Sequence, residues 1–235
     1  MAYPMIDWQS LALAIFAGFF PALAWLWFWL REDSEHPEPR RLIALAFFGG
    51  MVMVAVVIPI EEYAQSIIAS QALLLVVWAA IEEICKYASA RTLVLWRRED
   101  DEPIDPVIYM VTTALGFSAV ENALFLYSPL AGGTFLSTIQ TGDLRFVGAT
   151  LVHVLSSAII GVMLGIVFYD KRRWVRPFAV TIGVILAALL HGSFNFFILS
   201  AGPQQTILVL TFVWAGVIAL LAALEWVKRF KPRYR

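Results

Sequence analysis

Ala79-Ala80-Ile81-Glu82-Glu83-Ile84-Cys85-Lys86-Tyr87 sets two adjacent glutamates and a lysine in the middle of a long apolar run. The run begins near Ile67 and ends at Trp96-Arg97-Arg98. An ionisable group inside a membrane span costs a few kcal/mol, about 2.5–3.5 on insertion scales. Such groups face the interior of a helix bundle and mark working sites. The other segments are read by asking which residues can meet this pair.

The chain of 235 residues is 60% hydrophobic and 15% charged, whereas a soluble domain has about 25% charged residues. Several of its apolar runs pass the roughly 18 residues that point to a transmembrane helix. The composition predicts an all-α, polytopic membrane helix bundle, one integral membrane domain over 1–235. Its core is then built by helix packing in lipid rather than by collapse from water. Nothing in it suggests nucleic-acid binding. Cys85 is the single cysteine, which excludes an intrachain disulfide and a Cys-based zinc motif. The N-terminus lacks the basic start of a secretory signal. Trp25-Leu26-Trp27-Phe28-Trp29-Leu30 continues the first apolar run past Ala22-Leu23-Ala24, so a retained helix is expected there.

Seven helices are expected: about Trp8–Leu30, Arg41–Ile60, Ile67–Trp96, Asp105–Tyr127, Asp143–Tyr169, Pro177–Ser200 and Pro203–Val227. Asp105-Pro106 offers an N-cap followed by proline at the first helical position. Most of the 17 Lys and Arg residues fall in alternate connections: Arg31, Arg40 and Arg41; Arg97 and Arg98; Lys171 to Arg176; and the tail from Lys228. Basic connections stay in the cytoplasm, which puts the N-terminus out and the C-terminus in. His36 falls in a charged inner loop and Glu61 and Glu62 at an outer helix end. The plain reading of all three is solvated side chains. Residues 128–142 form the longest outer connection, a lid or a linker.

Four helices carry polar residues at depth: Glu82, Glu83 and Lys86; Glu121 and Asn122; His153 and Ser157; His191 and Asn195. A spacing of four puts two residues on one helix face. Glu82 with Lys86, Phe117 with Glu121, His153 with Ser157, and His191 with Asn195 are so related. Each helix rises about 1.5 Å per residue, which places Glu82, Glu121, His153 and His191 roughly 21–25 Å from the cytoplasmic ends of their helices. That is one layer in the outer half of a hydrocarbon core about 30 Å thick.

Two imidazoles and a carboxylate bind zinc and leave a position open for water. A further carboxylate then acts as general base. Glu121, His153 and His191 are the candidate ligands and Glu82 or Glu83 the base. Lys86 pairs with a glutamate or stabilises charge. Asn195 donates to an oxyanion or orients His191. A metal-free version, in which a glutamate and a histidine activate water directly, uses the same residues. Against this, each residue alone has a plainer reading: a membrane histidine that bonds another helix, or Glu82–Lys86 as a structural ion pair. Ser157 is the weakest member, since serines often bond back within their own helix. An ion-coupled transporter and a non-catalytic membrane partner are the rival classes. The repeated halves and broken helices common in transporters are not visible.

Glu82-Glu83-x-x-Lys86, Phe117-x-x-x-Glu121, His153-x-x-x-Ser157 and His191-x-x-x-Asn195, in that order on successive spans, resemble the PrsW family of intramembrane proteases. That family is related to the CAAX prenyl proteases and bacteriocin-processing enzymes. The resemblance covers about residues 78–200. It implies a membrane-embedded peptidase in the bacterial inner membrane whose metal or water-activating site uses these glutamates and histidines. It also implies a membrane-protein or peptide substrate, with site-1-type cleavage of a membrane-spanning anti-sigma factor as the family's known role. Phe125 departs from the tyrosine expected after Phe-x-x-x-Glu. Helices one, two and seven carry no family motif and are expected to be scaffold or substrate gate.

Overall fold

The computed structural model describes residues 7–31, 36–132, 135–200 and 203–230, without the side chains of 135–147, 200 and 203–206. It holds seven helices and, among the described residues, no strand: α1 Trp8–Leu30, α2 Arg40–Ile67, α3 Gln71–Leu93, α4 Asp105–Ala131, α5 Phe135–Ile166, α6 Val175–Ser200 and α7 Pro203–Val227. Six are long and apolar enough to cross a membrane, α5 counted over Gly148–Ile166. The exception is α3, whose 23 residues include Glu82, Glu83, Lys86 and Arg91.

Local chemistry sets the helix ends. Asp7 caps α1, accepting the Gln9 N–H at 3.1 Å and the Ser10 hydroxyl at 2.5 Å. Ser70 caps α3 by accepting the Leu73 N–H at 3.4 Å, so α3 starts later than the apolar run suggests. It also stops earlier, at Leu93. Beyond it Trp96 takes a left-handed backbone, φ 73°, uncommon for a bulky residue. Its N–H donates to Asp100 Oδ2 at 2.7 Å, and its indole lies between the guanidinium groups of Arg91 and Arg176.

Other expected boundaries move as well. α2 runs through Pro59 to Ile67. It therefore contains Glu61 and Glu62 rather than ending before them. Asp105 is the first residue of α4 instead of its N-cap. Its Oδ2 accepts the N–H groups of Asp101 at 2.8 Å and Glu102 at 2.6 Å, so it orders the preceding turn. The connection expected over 128–142 is largely helical, because α4 continues to Ala131 and α5 begins at Phe135. Residues 133–134 lie outside the described residues, as do 32–35 of the charged loop before α2 and 231–235 of the basic tail. His36 remains exposed, 2.9 Å from Glu102.

α4 lies at the centre. α1, α2 and α5 pack on it, α3 packs between α2 and α6, α6 also packs on α5, and α7 leans on α5. The backbones come unusually close where α2 crosses α4. A Cβ at Gly50 would strike the Thr113 carbonyl, and one at Gly116 would strike the Phe47 carbonyl. Small residues permit such crossings in lipid, where van der Waals packing drives helix association. α4 is buried over most of its length, and several of its polar residues find partners inside. Asn122 Nδ2 donates to Ser118 Oγ at 3.1 Å and to Thr150 Oγ1 of α5 at 2.9 Å. This arrangement fixes the rotation of α4 and α5 that turns Glu121 and His153 toward α3 and α6.

Candidate active site

α3, α4, α5 and α6 bring their polar faces to one place. Lys86 Nζ lies 3.1 Å from Glu82 Oε2, 2.8 Å from Glu83 Oε1 and 2.8 Å from His153 Nδ1. It also sits 4.3 Å above the ring of Phe117, a cation–π contact. Glu83 and Lys86 have no exposed surface, and Glu82, His153 and His191 are nearly as buried. A single ammonium therefore compensates two carboxylates in a site of low dielectric, where an unpaired charge is very costly.

The hydrogen bonds assign the imidazole nitrogens. An ammonium only donates, so His153 Nδ1 accepts from Lys86. The ring proton is then on Nε2, 2.6 Å from Glu121 Oε2. Lys86, His153 and Glu121 thus stand in contact across three helices. His191 Nδ1 lies 3.3 Å from Glu83 Oε1, and the two imidazoles meet edge-on with centroids 4.7 Å apart.

Beside these groups is a cleft of about 120 Å³, lined by Glu121, Phe125, His153, His191 and Asn195 among others. Ligand atoms of Glu82, Glu83, His153 and His191 all lie within 4.8 Å of one another, a spacing suited to a metal ion. Glu121 stands outside that foursome and reaches it through His153. Every residue expected from the sequence is therefore near this centre. Asn195 faces the cleft, while Glu83 rather than Asn195 bonds His191.

Two residues matter more than their sequence context suggests. Ser157 does not bond back to its own helix. Its hydroxyl donates to Glu83 Oε2 at 2.6 Å, helix to helix. The stripe His153-x-x-x-Ser157 was the only available signal for this. Glu61 is half-buried, unlike the exposed Glu62. Its carbonyl accepts the Trp78 indole N–H at 3.1 Å, and its carboxylate is within electrostatic reach of Glu82, Glu121 and Lys86. The solvated reading holds for Glu62 and fails for Glu61, because α2 continues past Pro59 and carries Glu61 alongside α3.

A second, larger cavity of about 500 Å³ lies between α5, α6 and α7. Its walls are almost wholly apolar and include Phe197, Phe212, Gly216 and Ala219. Val152 and Phe194 line both this groove and the polar cleft.

Comparison with known proteins bears on this constellation. Residues 38–224 match the model of a family described as PrsW family intramembrane metalloprotease. The chain is 28% identical over 209 residues to Protease PrsW of Geobacillus kaustophilus, an alignment that covers 86% of this chain and 88% of that protein. It is 25% identical to Protease PrsW of Bacillus subtilis, covering 85% and 90%. Against Protease PrsW of Clostridioides difficile it is 23% identical, with 79% of each chain covered. No solved structure gives a significant match.

Proposed function

The chain belongs to the PrsW family of intramembrane metalloproteases, and from that premise we propose that it cleaves a membrane-protein substrate near the outer leaflet of a bacterial cytoplasmic membrane, an anti-sigma factor being the candidate substrate. The observation that carries this reading is the convergence of Glu82, Glu83, His153 and His191 within 4.8 Å. Family membership sets aside the transporter and non-catalytic readings. The alternation of basic connections supports the topology that goes with this reading: α3 as a seventh span, N-terminus out and C-terminus in, the site in the outer half.

The donor set suits a divalent cation such as zinc by its chemistry, two imidazoles and two carboxylates. His191 and a glutamate, Glu121 or one of the α3 pair, would hold the ion together with His153, which would give up its contact with Lys86 to do so. When bound, it would polarise the scissile carbonyl and acidify a water. The protein's own groups do the rest. Glu82 or Glu83 takes a proton from water as the oxygen attacks the carbonyl carbon. Asn195, on the cleft wall, donates to the oxyanion. Lys86 pairs with both glutamates in a buried place. The groove between α5, α6 and α7 supports delivery of the substrate from the lipid side, since it opens onto apolar walls and shares Val152 and Phe194 with the cleft.

One observation favours the metal-free form of the same chemistry. Lys86 already places a cation within 3.1 Å of three of the four donor residues. Purified protein reconstituted with a candidate substrate tests both versions, with cleavage followed by mass spectrometry and bound metal by elemental analysis. Glu82→Ala and His191→Ala are expected to abolish cleavage. About one zinc per chain, lost in His153→Ala, selects the metal form. Unchanged cleavage in Glu82→Ala would sink the proposal.

A further inference from the structure

Glu82 and Glu83 are neighbours in sequence but live in different surroundings. Glu83 has no exposed surface. Its Oε1 receives Lys86 Nζ at 2.8 Å and His191 Nδ1 at 3.3 Å, and its Oε2 receives the Ser157 hydroxyl at 2.6 Å. A carboxylate offers about four acceptor positions, so this one is nearly saturated. Among the described residues, the contacts of Glu82 fall on Oε2 alone: Lys86 at 3.1 Å, His153 Nδ1 at 3.6 Å and His191 Nδ1 at 3.9 Å. Its other oxygen is the one left for water.

The partners of Glu83 also decide the state of His191. An accepting carboxylate at Nδ1 places the ring proton there and leaves Nε2 as the lone-pair nitrogen, as a second partner does for metal-bound and catalytic histidines. His191 lines the cleft. The neighbouring Ser156 is buried with no partner for its hydroxyl, so the bond made by Ser157 reflects its place on the α5 face that meets α3.

We propose that Glu83 is a positioning residue, held in place by Ser157 and Lys86, that fixes His191 as the Nδ1–H tautomer with Nε2 free for the cleft. Glu82 is then the general base. This rests on the peptidase reading above. Water's O–H bond breaks as its oxygen bonds to the carbonyl carbon. The proton that Glu82 took from water passes to the departing nitrogen as the C–N bond breaks, giving a carboxylic acid and an amine, and the acid's proton then moves to the amine to leave carboxylate and ammonium.

The test compares full-length wild type, Glu82→Gln, Glu83→Gln and Ser157→Ala in proteoliposomes, reading kcat and KM beside the side-chain ¹⁵N signals of the histidines. The chain has only 3 histidines, so the spectrum is simple, and the unfolding midpoint by tryptophan fluorescence reports that each variant is folded. Glu82→Gln is expected to lower kcat by about 1,000-fold, within the range of a lost general base, with the His191 signals unmoved. Glu83→Gln and Ser157→Ala are expected to lower kcat by about 10- to 100-fold, the usual loss for an orienting partner. KM should stay the same, while the His191 signals move toward a tautomer mixture. Wild-type kcat in Ser157→Ala, or unmoved His191 signals in both positioning variants, overturns the proposal. The tautomer readout needs no turnover. Shifted signals in variants of a chain that cleaves nothing would therefore strike the peptidase reading, and with it the role of Glu82.

Discussion

Lys86 supplies the charge that lets two adjacent carboxylates remain buried together. Removing one partner of a buried ion pair costs about 3–5 kcal/mol, because the other charge is left uncompensated. Lys86→Met is therefore expected to lower stability by about that amount, read as an earlier unfolding midpoint in detergent by tryptophan fluorescence. Adding Glu83→Gln to it should recover part of the loss, since one buried charge then disappears. An unchanged midpoint in Lys86→Met would contradict the geometry in which Nζ meets Glu82, Glu83 and His153. At this scale the sequence was informative about membership of the site and silent about roles. A spacing of four tells which face His153 and Ser157 share. It says nothing of which acceptor stands opposite Ser157, because that depends on the rotation of α3 against α5. Adjacent glutamates cannot be told apart by periodicity, since the split between them appears only when Ser157 and His191 arrive from other helices.

Helices α5, α6 and α7 enclose a groove whose lining is as apolar as any lipid-facing surface. Hydropathy therefore gives no sign of it. Filling it is expected to separate two kinds of substrate. Ala219→Trp or Gly216→Leu should slow cleavage of a membrane-embedded substrate by about tenfold or more, equivalent to at least about 1.4 kcal/mol. Cleavage of a short soluble peptide that reaches the polar cleft directly should be unaffected. Equal loss for both would show that the bulk has distorted α5 rather than blocked an approach. The helices themselves were largely readable. α1 and α7 end where the apolar runs end, and the basic residues of the connections fall between helices or, as with Arg40, Arg41 and Arg176, in a first turn. The misplaced boundaries have physical causes. Pro59 does not break α2, because a helix in a bundle tolerates a freed carbonyl that neighbours satisfy. Asp105 looks like a cap in sequence, yet it bonds the turn before it. Ser70 and Leu93 bound an α3 shorter than its apolar run, since apolarity continues through both connections.

For the molecule as a whole, the alternation of basic connections predicts the N-terminus outside and the C-terminus in the cytoplasm. A fluorescent reporter that folds only in the cytoplasm should glow when fused after Val227, whereas a periplasmic phosphatase fused there should stay inactive. The reverse pattern would invert the bundle and place the site in the inner half. Assembly of the bundle has its own constraint. α4 is wrapped by α1 and α2 from one side and by α5 from the other, and Ser118 and Asn122 have their interhelical partner, Thr150, on a helix made after them. During synthesis there is thus an interval in which α4 has left the ribosome with Ser118 and Asn122 bonded only to each other. The contacts that α5 brings favour holding α4 beside the insertion machinery until α5 emerges, so that the two helices are committed to lipid as a pair rather than one at a time.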